Sequence, residues 1–223
     1  ITHAATTNAT MVDSDGLLKW RPHNLLPNSS VLGYSKINTA TSTSTVVSPS
    51  GLQDAVLVQP TVATGITWVY LTTLFNTGVV TTISTFAKAS GKPFVAMANS
   101  NGDVIYASFN LTTGAVGTVA SGYTANIEDF GNGWYRCSVT TPTGFNERAI
   151  YAVSDTDGAI AAAANGNDGI LLWGAQLNRS DLGGMVNNPD RGDSYVSTTT
   201  AAVYAPRRGH HVYNGSAWVN EGI

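Results

Sequence analysis

Charged side chains are scarce in this chain. Only 11% of its 223 residues are Asp, Glu, Lys or Arg, against about 25% in an average soluble protein. Eleven basic residues face 14 acidic ones, for a formal net charge of −3. A surface that neutralises many phosphates requires clustered Lys and Arg, and no such cluster occurs, so no nucleic acid partner is expected. A single cysteine, Cys137, excludes an intrachain disulfide and a zinc site built on several thiolates. It reads as a small buried hydrophobe. No stretch approaches about 18 consecutive apolar residues, so no membrane insertion is expected. Residues 1–10 lack the charged start and apolar middle of a signal peptide, and a chain beginning at Ile1 rather than Met is expected to be processed, trimmed or a fragment.

Catalytic signatures are also missing. There is no G-x-S-x-G elbow, no H-E-x-x-H and no Gly-rich phosphate loop with a Lys. The four histidines, His3, His23, His210 and His211, fall in terminal or irregular segments, and adjacent side chains such as His210 and His211 point apart on an extended chain. A glycosidase needs two carboxylates flanking the scissile bond. Glu128-Asp129 are neighbours in an expected loop before Phe130-Gly131, and Glu147 lies elsewhere. The expectation is a non-enzyme.

What is present is β-sheet chemistry. The hydrophobic fraction of 43% is ordinary, enough for a core, and the chain carries 28 threonines, 23 glycines and 8 prolines. β-branched residues suit a pleated surface, and Gly, Asn and Asp supply the positive φ of tight turns. Short alternating runs between turn dipeptides read as strands near 10–12, 17–20, 39–47, 55–62, 94–98, 104–110, 115–119, 134–140, 149–154 and 169–177. Ile66–Phe75 and Val79–Ala89 flank Asn76-Thr77-Gly78 and read as a hairpin. The Ala-rich run Ala159–Ala164, bounded by Gly158 and Asn165-Gly166, reads as a loop. A further turn at Asn214-Gly215, before Trp218, suggests a tail hairpin packed on a neighbouring chain or domain. So many short strands imply an all-β, two-sheet sandwich.

Two strands can be read face by face. In Trp134–Val139 one face carries Tyr135, Cys137 and Val139, and the other Trp134, Arg136 and Ser138. In Ile170–Leu177 the apolar face is Leu171, Trp173, Ala175 and Leu177, with Gln176 opposite. Aromatic, guanidinium and amide groups sharing a sheet face suit sugars, whose C–H surfaces lie on rings while polar groups bind hydroxyls. The candidate glycan-binding residues are therefore Trp134, Arg136, Gln176 and Lys88, with Trp68 and Tyr70 as a second platform. Trp134 reads equally as packed beneath a covering loop, and Arg136 and Lys88 equally as solvated or ion-paired. Trp173 reads as core, whereas Trp20 and Trp218 read as anchors of terminal segments or an oligomer contact.

Other motifs have plainer readings. Asp13-Ser14-Asp15-Gly16 and Asp155-Thr156-Asp157-Gly158 place alternate carboxylates as calcium loops do, but loop position 12 is Asn24 or Gly166 rather than acidic. Both read first as Asp/Gly turns. Arg191-Gly192-Asp193 spells an integrin-binding tripeptide that arises easily by chance in such a loop. The N-x-S/T triplets at Asn8, Asn28, Asn110, Asn178 and Asn214 are expected in so Asn- and Thr-rich a chain.

The run Asn132-Gly133-Trp134-Tyr135-Arg136-Cys137-Ser138-Val139-Thr140 resembles the signature of a jelly-roll module common in bacteriophage tail and virion proteins and found in some bacterial surface proteins. Met11–Leu18 is similar to that family's opening hairpin, Asn24-Leu25-Leu26 to its lead into the sandwich, and Phe86-Ala87-Lys88-Ala89 to its central strand. Trp173-Gly174-Ala175-Gln176-Leu177 is similar to its late strand and Ser194–Thr199 to the exit. Asn178 stands where members often carry an acidic residue. The resemblance implies a concanavalin-like or carbohydrate-binding-module-like jelly roll over 24–205, with an N-terminal hairpin or extension over 1–23 and a tail or hairpin over 206–223. It further implies glycan attachment or scaffolding on a virion surface, or on a secreted bacterial surface protein. It implies a homo-oligomer, trimers being the family habit, and leaves room for a structural calcium and no other cofactor. The expected function is a phage tail fibre, spike or decoration protein that binds host surface glycan beside other virion proteins. The alternatives are a purely structural virion component and, third, a carbohydrate-active enzyme.

Overall fold

The structure, a computed structural model, describes residues 8–99, 104–187 and 193–204, and the backbone of two strands at 211–213 and 218–220. β1 (Thr10–Val12) and β2 (Leu18–Trp20) form the N-terminal hairpin. β3 (His23–Asn24) follows, then a 3-10 turn over Val31–Gly33, β4 (Ser35–Ile37), β5 (Thr39–Thr43), β6 (Val56–Pro60) and β7 (Trp68–Tyr70). The middle of the chain holds β8 (Val80–Ser90), β9 (Phe94–Ala98), β10 (Ile105–Asn110), β11 (Ala115–Val119) and β12 (Thr124–Asp129). It continues with β13 (Tyr135–Gly144), β14 (Ile150–Ser154) and β15 (Gly169–Arg179). β16 (Val203–Tyr204) pairs with β3, and β17 (His211–Tyr213) with β18 (Trp218–Asn220). The last pairing is the tail hairpin expected around Asn214-Gly215.

Twelve strands make two antiparallel sheets of six, ordered β11-β10-β9-β14-β7-β4 (sheet I) and β12-β13-β8-β15-β6-β5 (sheet II). Four of the pairs nest in sequence: β6 with β15, β7 with β14, β8 with β13 and β9 with β10. The chain thus behaves as one long antiparallel hairpin rolled so that successive pairs alternate between sheets, which is jelly-roll winding. This is the expected all-β sandwich with hairpin appendages.

The winding corrects one local reading. Ile66–Phe75 and Val79–Ala89 are not a hairpin, because β7 lies in sheet I and β8 in sheet II. The connection runs instead beside 145–149, through Leu71 N–H to Ala149 O, Phe75 N–H to Glu147 O and Thr77 N–H to Phe145 O. A distant strand outcompetes the nearby turn. Glu128-Asp129 also differ from expectation: they end the edge strand β12 rather than sit in a loop.

The core follows the two-residue period of the strands. Val56 and Val58, Ile83, Cys137 and Val139, and Ile170, Leu172, Ala175 and Leu177 face inward from sheet II. They meet Val69, Val95 and Met97, Ala107 and Phe109, and Tyr151 and Val153 from sheet I. Each fully buried Val, Leu, Ile, Phe or Met contributes roughly 1.5–3 kcal/mol, so apolar packing is the main force between the sheets. Tyr151 adds one polar tie, its hydroxyl donating across the core to Ser84 O at 3.1 Å.

The lead into the sandwich is fastened by a buried asparagine. Asn24 Nδ2 donates to Ala175 O at 3.0 Å and Val196 O at 2.9 Å, and its Oδ1 accepts from Leu26 N–H and Leu177 N–H. That four-way use of one amide accounts for Asn at this place in the Asn24-Leu25-Leu26 motif.

Candidate functional site: the outer face of sheet II

The site begins at the turn between β12 and β13. Gly131, Asn132 and Gly133 all hold positive φ, 77°, 53° and 76°, a run of left-handed backbone that glycine and asparagine tolerate. Lys88 Nζ caps the turn by donating to Asn132 O. The turn projects Trp134 onto the outer face, where it packs with Ala55, Phe86, Leu171, Trp173 and Tyr195. Its indole N–H donates to Val47 O at 2.9 Å. At 3% exposure its ring is sealed beneath the segment around Val47, so of the two readings of Trp134 the covering loop is the correct one and the sugar platform is not.

A bulge sets the next feature. The pairing of β15 with β8 shifts between Trp173 and Gln176, and Gly174 there has φ 65°. The extra residue reverses the alternation. Ile170 and Leu172 point into the main core before it, and Ala175 and Leu177 after it. Leu171 and Trp173 therefore lie on the outer face with Trp134, correcting the single apolar face read from the sequence. Phe86 is the hub of this layer, edge-on to Phe130, Trp173 and Tyr195 with centroids 4.8, 5.3 and 5.9 Å away.

Two more expected ligand residues have structural work. Gln176 is fully buried. Its amide donates to Ser194 O at 2.8 Å and Asn178 Oδ1 at 3.1 Å and accepts from Val196 N–H at 2.8 Å, clamping the exit segment to the sheet. Trp68 is buried at 3% on the opposite side of the molecule, among Ala96, Ala98, Ile150, Ala152 and Ile160. The Ala159–Ala164 loop roofs it, with Thr67 N–H donating to Ile160 O. Tyr70 is half-buried with the Arg148 guanidinium 5.9 Å from its ring centre. Neither Trp68 nor Gln176 presents a surface to a sugar, and Tyr70 is already engaged.

Arg136 lines an open depression on the outer face of sheet II. It is 6% exposed, lies 5.2 Å over the Phe86 ring and donates from Nη2 to Ser84 Oγ at 3.3 Å. The depression has a volume of about 380 Å³. Seven of its lining residues, Glu128, Arg136, Ser138, Ser84, Thr140, Thr82 and Asn178, belong to three parallel rungs that strand register sets across β12, β13, β8 and β15. The first is Glu128–Arg136–Phe86–Trp173, the second Asn126–Ser138–Ser84–Gln176, the third Thr124–Thr140–Thr82–Asn178. With strands about 4.8 Å apart, side chains of one rung are immediate neighbours. Links run both between and within rungs: Asn126 Nδ2 of the second donates to Glu128 Oε1 of the first at 2.8 Å, and the Thr82 and Thr140 hydroxyls of the third are 2.7 Å apart. The result is a fixed array of hydroxyls, amides and one carboxylate. Ser138 and Thr140 fall within the Asn132–Thr140 run, but Ser84, Thr82 and Thr124 carry no motif, and register brings them together.

The remaining candidates are accounted for locally. Asp13 and Asp15 do converge, but on the Lys19 ammonium at 2.7 and 3.1 Å. Asp155 pairs with Lys92 at 2.8 Å. Asp157 accepts from the Ser108 hydroxyl and from Thr118 N–H, hydrogen bonds that hold its carboxyl below the usual range. Among the described residues no three His, Cys, Asp or Glu gather as a metal site. Glu147 lines a different depression from Glu128. Trp20 anchors the N-terminal hairpin, its indole donating to Asp181 Oδ1 at 3.0 Å. His3, Arg191, Gly192, His210 and Asn214 lie outside the described residues, and of His211 and Trp218 only the backbone is described.

No protein-family model matches the chain, and no curated protein matches it.

Proposed function

We propose that the protein is a non-enzymatic, glycan-binding jelly roll carried on a phage virion surface as a tail fibre, spike or decoration protein. The rung array on sheet II is its binding face for host saccharide. The observation that carries this reading is the three-rung register, which lays hydrogen-bonding groups in fixed rows beside Arg136 on a rigid sheet. Sugar hydroxyls both donate and accept, as do the Ser, Thr and Asn side chains here. Glu128 is the one carboxylate among the described residues lining the depression, whereas glycoside hydrolysis uses a pair. An open polar site binds weakly, and several copies multiply that affinity, so an oligomer, a trimer by the family resemblance, fits the role.

A glycan array probed with the oligomeric protein and with Ser138→Trp tests this. The new indole fills the middle of the array without touching the core. Binding that disappears in the folded variant supports the reading; a blank array for folded wild-type protein overturns it.

One observation favours the structural alternative. Leu17, Leu18 and Leu182 are 57%, 51% and 50% exposed, and Trp20 N–H donates to Gly184 O at 2.9 Å, so the N-terminal hairpin and the 182–184 segment beside it offer exposed leucines suited to a neighbouring virion subunit.

A further inference from the structure

A second depression, of about 200 Å³, opens where β15 changes its neighbour. β6 pairs with β15 as far as Val56 and Leu172, and three residues on Ala175 N–H donates to Ser29 O instead. Trp173 and Tyr195, packed with ring centroids 4.5 Å apart, give the depression a stiff wall. Its volume is below the roughly 300–1,000 Å³ that hold a drug-sized ligand, and it suits a single ring.

One polar group lining it is unmet. Thr198 is 4% exposed, and its hydroxyl is buried with no hydrogen-bond partner among the described residues. Its backbone, by contrast, is fully used. The Thr198 N–H donates to Ser29 Oγ at 3.0 Å, and the carbonyl accepts from the Ser29 N–H and hydroxyl at 3.1 and 3.0 Å. Held by these bonds, Thr198 keeps a hydroxyl at the wall, where buried polar groups ordinarily have a partner. Asp54 stands exposed at the rim, its carboxylate steadied by the Ser48 hydroxyl and by the Ser50 hydroxyl at 3.1 Å. Both partners are neutral, and the carboxylate retains acceptor sites. Ser30 and Ser197 add exposed hydroxyls. Groups that donate and accept beside a fixed acceptor match a polyol, whereas the carboxylate repels another carboxylate.

We propose that this depression is a second saccharide subsite that takes one neutral hexose ring, with the Thr198 hydroxyl and the Asp54 carboxylate as partners of ring hydroxyls. That the ligand is a sugar rests on the glycan reading above, whereas its place and its neutrality rest on this depression alone.

The test is a backbone-amide NMR titration with glucose, galactose and mannose, each compared with its uronic acid. At least one hexose should move the amides of Ser30, Asp54 and Thr198. Its uronic acid should bind about tenfold more weakly, the order expected for like charges at a partly exposed site. Thr198→Val keeps the shape and removes the hydroxyl. It should weaken the hexose about tenfold while leaving the urea midpoint of the free protein unchanged or raised, since no bond within the protein is lost. Asp54→Asn should erase the discrimination against the uronic acid. No shift at these amides with any of the three hexoses, a hexose affinity unchanged in Thr198→Val, or a lowered urea midpoint in that variant would overturn the proposal. A uronic acid that binds as tightly as its hexose would overturn the neutral half of it. Ser138→Trp should leave the shifts at Thr198 unchanged. A blank array with Thr198 shifts defeats the sheet II reading alone, and array binding lost in Ser138→Trp with Thr198 silent defeats this one alone.

Discussion

His23 and Arg179 meet across the full length of the sandwich sequence: the Arg179 backbone N–H donates to His23 Nε2 at 2.9 Å. Since Nε2 accepts, Nδ1 carries the proton and donates to Arg21 O, 2.7 Å away. The imidazole is thereby fixed as one neutral tautomer. The Arg179 guanidinium sits 3.9 Å over the Trp20 ring and binds Asp181, and Tyr204 stacks on the imidazole at 6.2 Å. Three distant segments are joined at this point.

Stability should therefore depend on His23 protonation. Burial, with the Arg179 charge adding to it, lowers the imidazole pKa from its ordinary value of 6.5, against smaller opposing effects of the Arg21 carbonyl and Asp181. The unfolded chain then takes up the proton first. The contribution is complete above about pH 6.5 and is lost as pH falls below it. Urea midpoints measured from pH 7.5 downward should fall for wild type and fall less steeply for His23→Gln. Equal slopes would show that His23 does not titrate in this way.

Gln176→Leu should cost about 1–3 kcal/mol, because it strands the buried Val196 N–H and Ser194 C=O. Hydrogen exchange at Val196 should accelerate more than at core amides such as Val95. Uniform acceleration would mean that Gln176 supports the whole sandwich rather than the exit segment.

Gly174→Ala should be as damaging as a core truncation. A Cβ there would stand 3.0 Å from the Tyr195 ring and 3.1 Å from the Phe86 ring, at φ 65°, and such backbone strain alone costs about 1–3 kcal/mol. Chemical denaturation measures it. A neutral substitution would mean that the bulge relaxes freely.

Cys137 is buried, and burial pushes its thiol far above the ordinary range. A thiol-specific disulfide reagent should react only as fast as the protein opens. Rapid reaction under native conditions would place Cys137 outside the core.

The sequence carried much of the fold and little of the site. Phe94–Ala98 and Ala115–Val119 are readable to the residue, because turn residues bound them on both sides. Thr124–Asp129 is invisible as a strand, since Asn126, Glu128 and Asp129 are poor strand formers held only by edge pairing to β13. The faces of Trp173 and Gln176 depend on a bulge that no local pattern announces. Trp134 and Arg136 alternate with the core as read, but whether a loop covers Trp134 is decided by Val47, 87 residues away. The rungs require register, which is a property of strand pairs rather than of one strand.

The most direct test of the central claim sets the polar rungs against the aromatic residues. Wild type, Ser138→Trp and Trp134→Phe, each verified as folded and in the same oligomeric state, are compared by surface plasmon resonance on the glycan that binds best. The account predicts that Ser138→Trp abolishes binding while Trp134→Phe retains it within about twofold, since the Trp134 ring is sealed and contributes stability rather than contact. Loss of binding in Trp134→Phe with Ser138→Trp unaffected would contradict it.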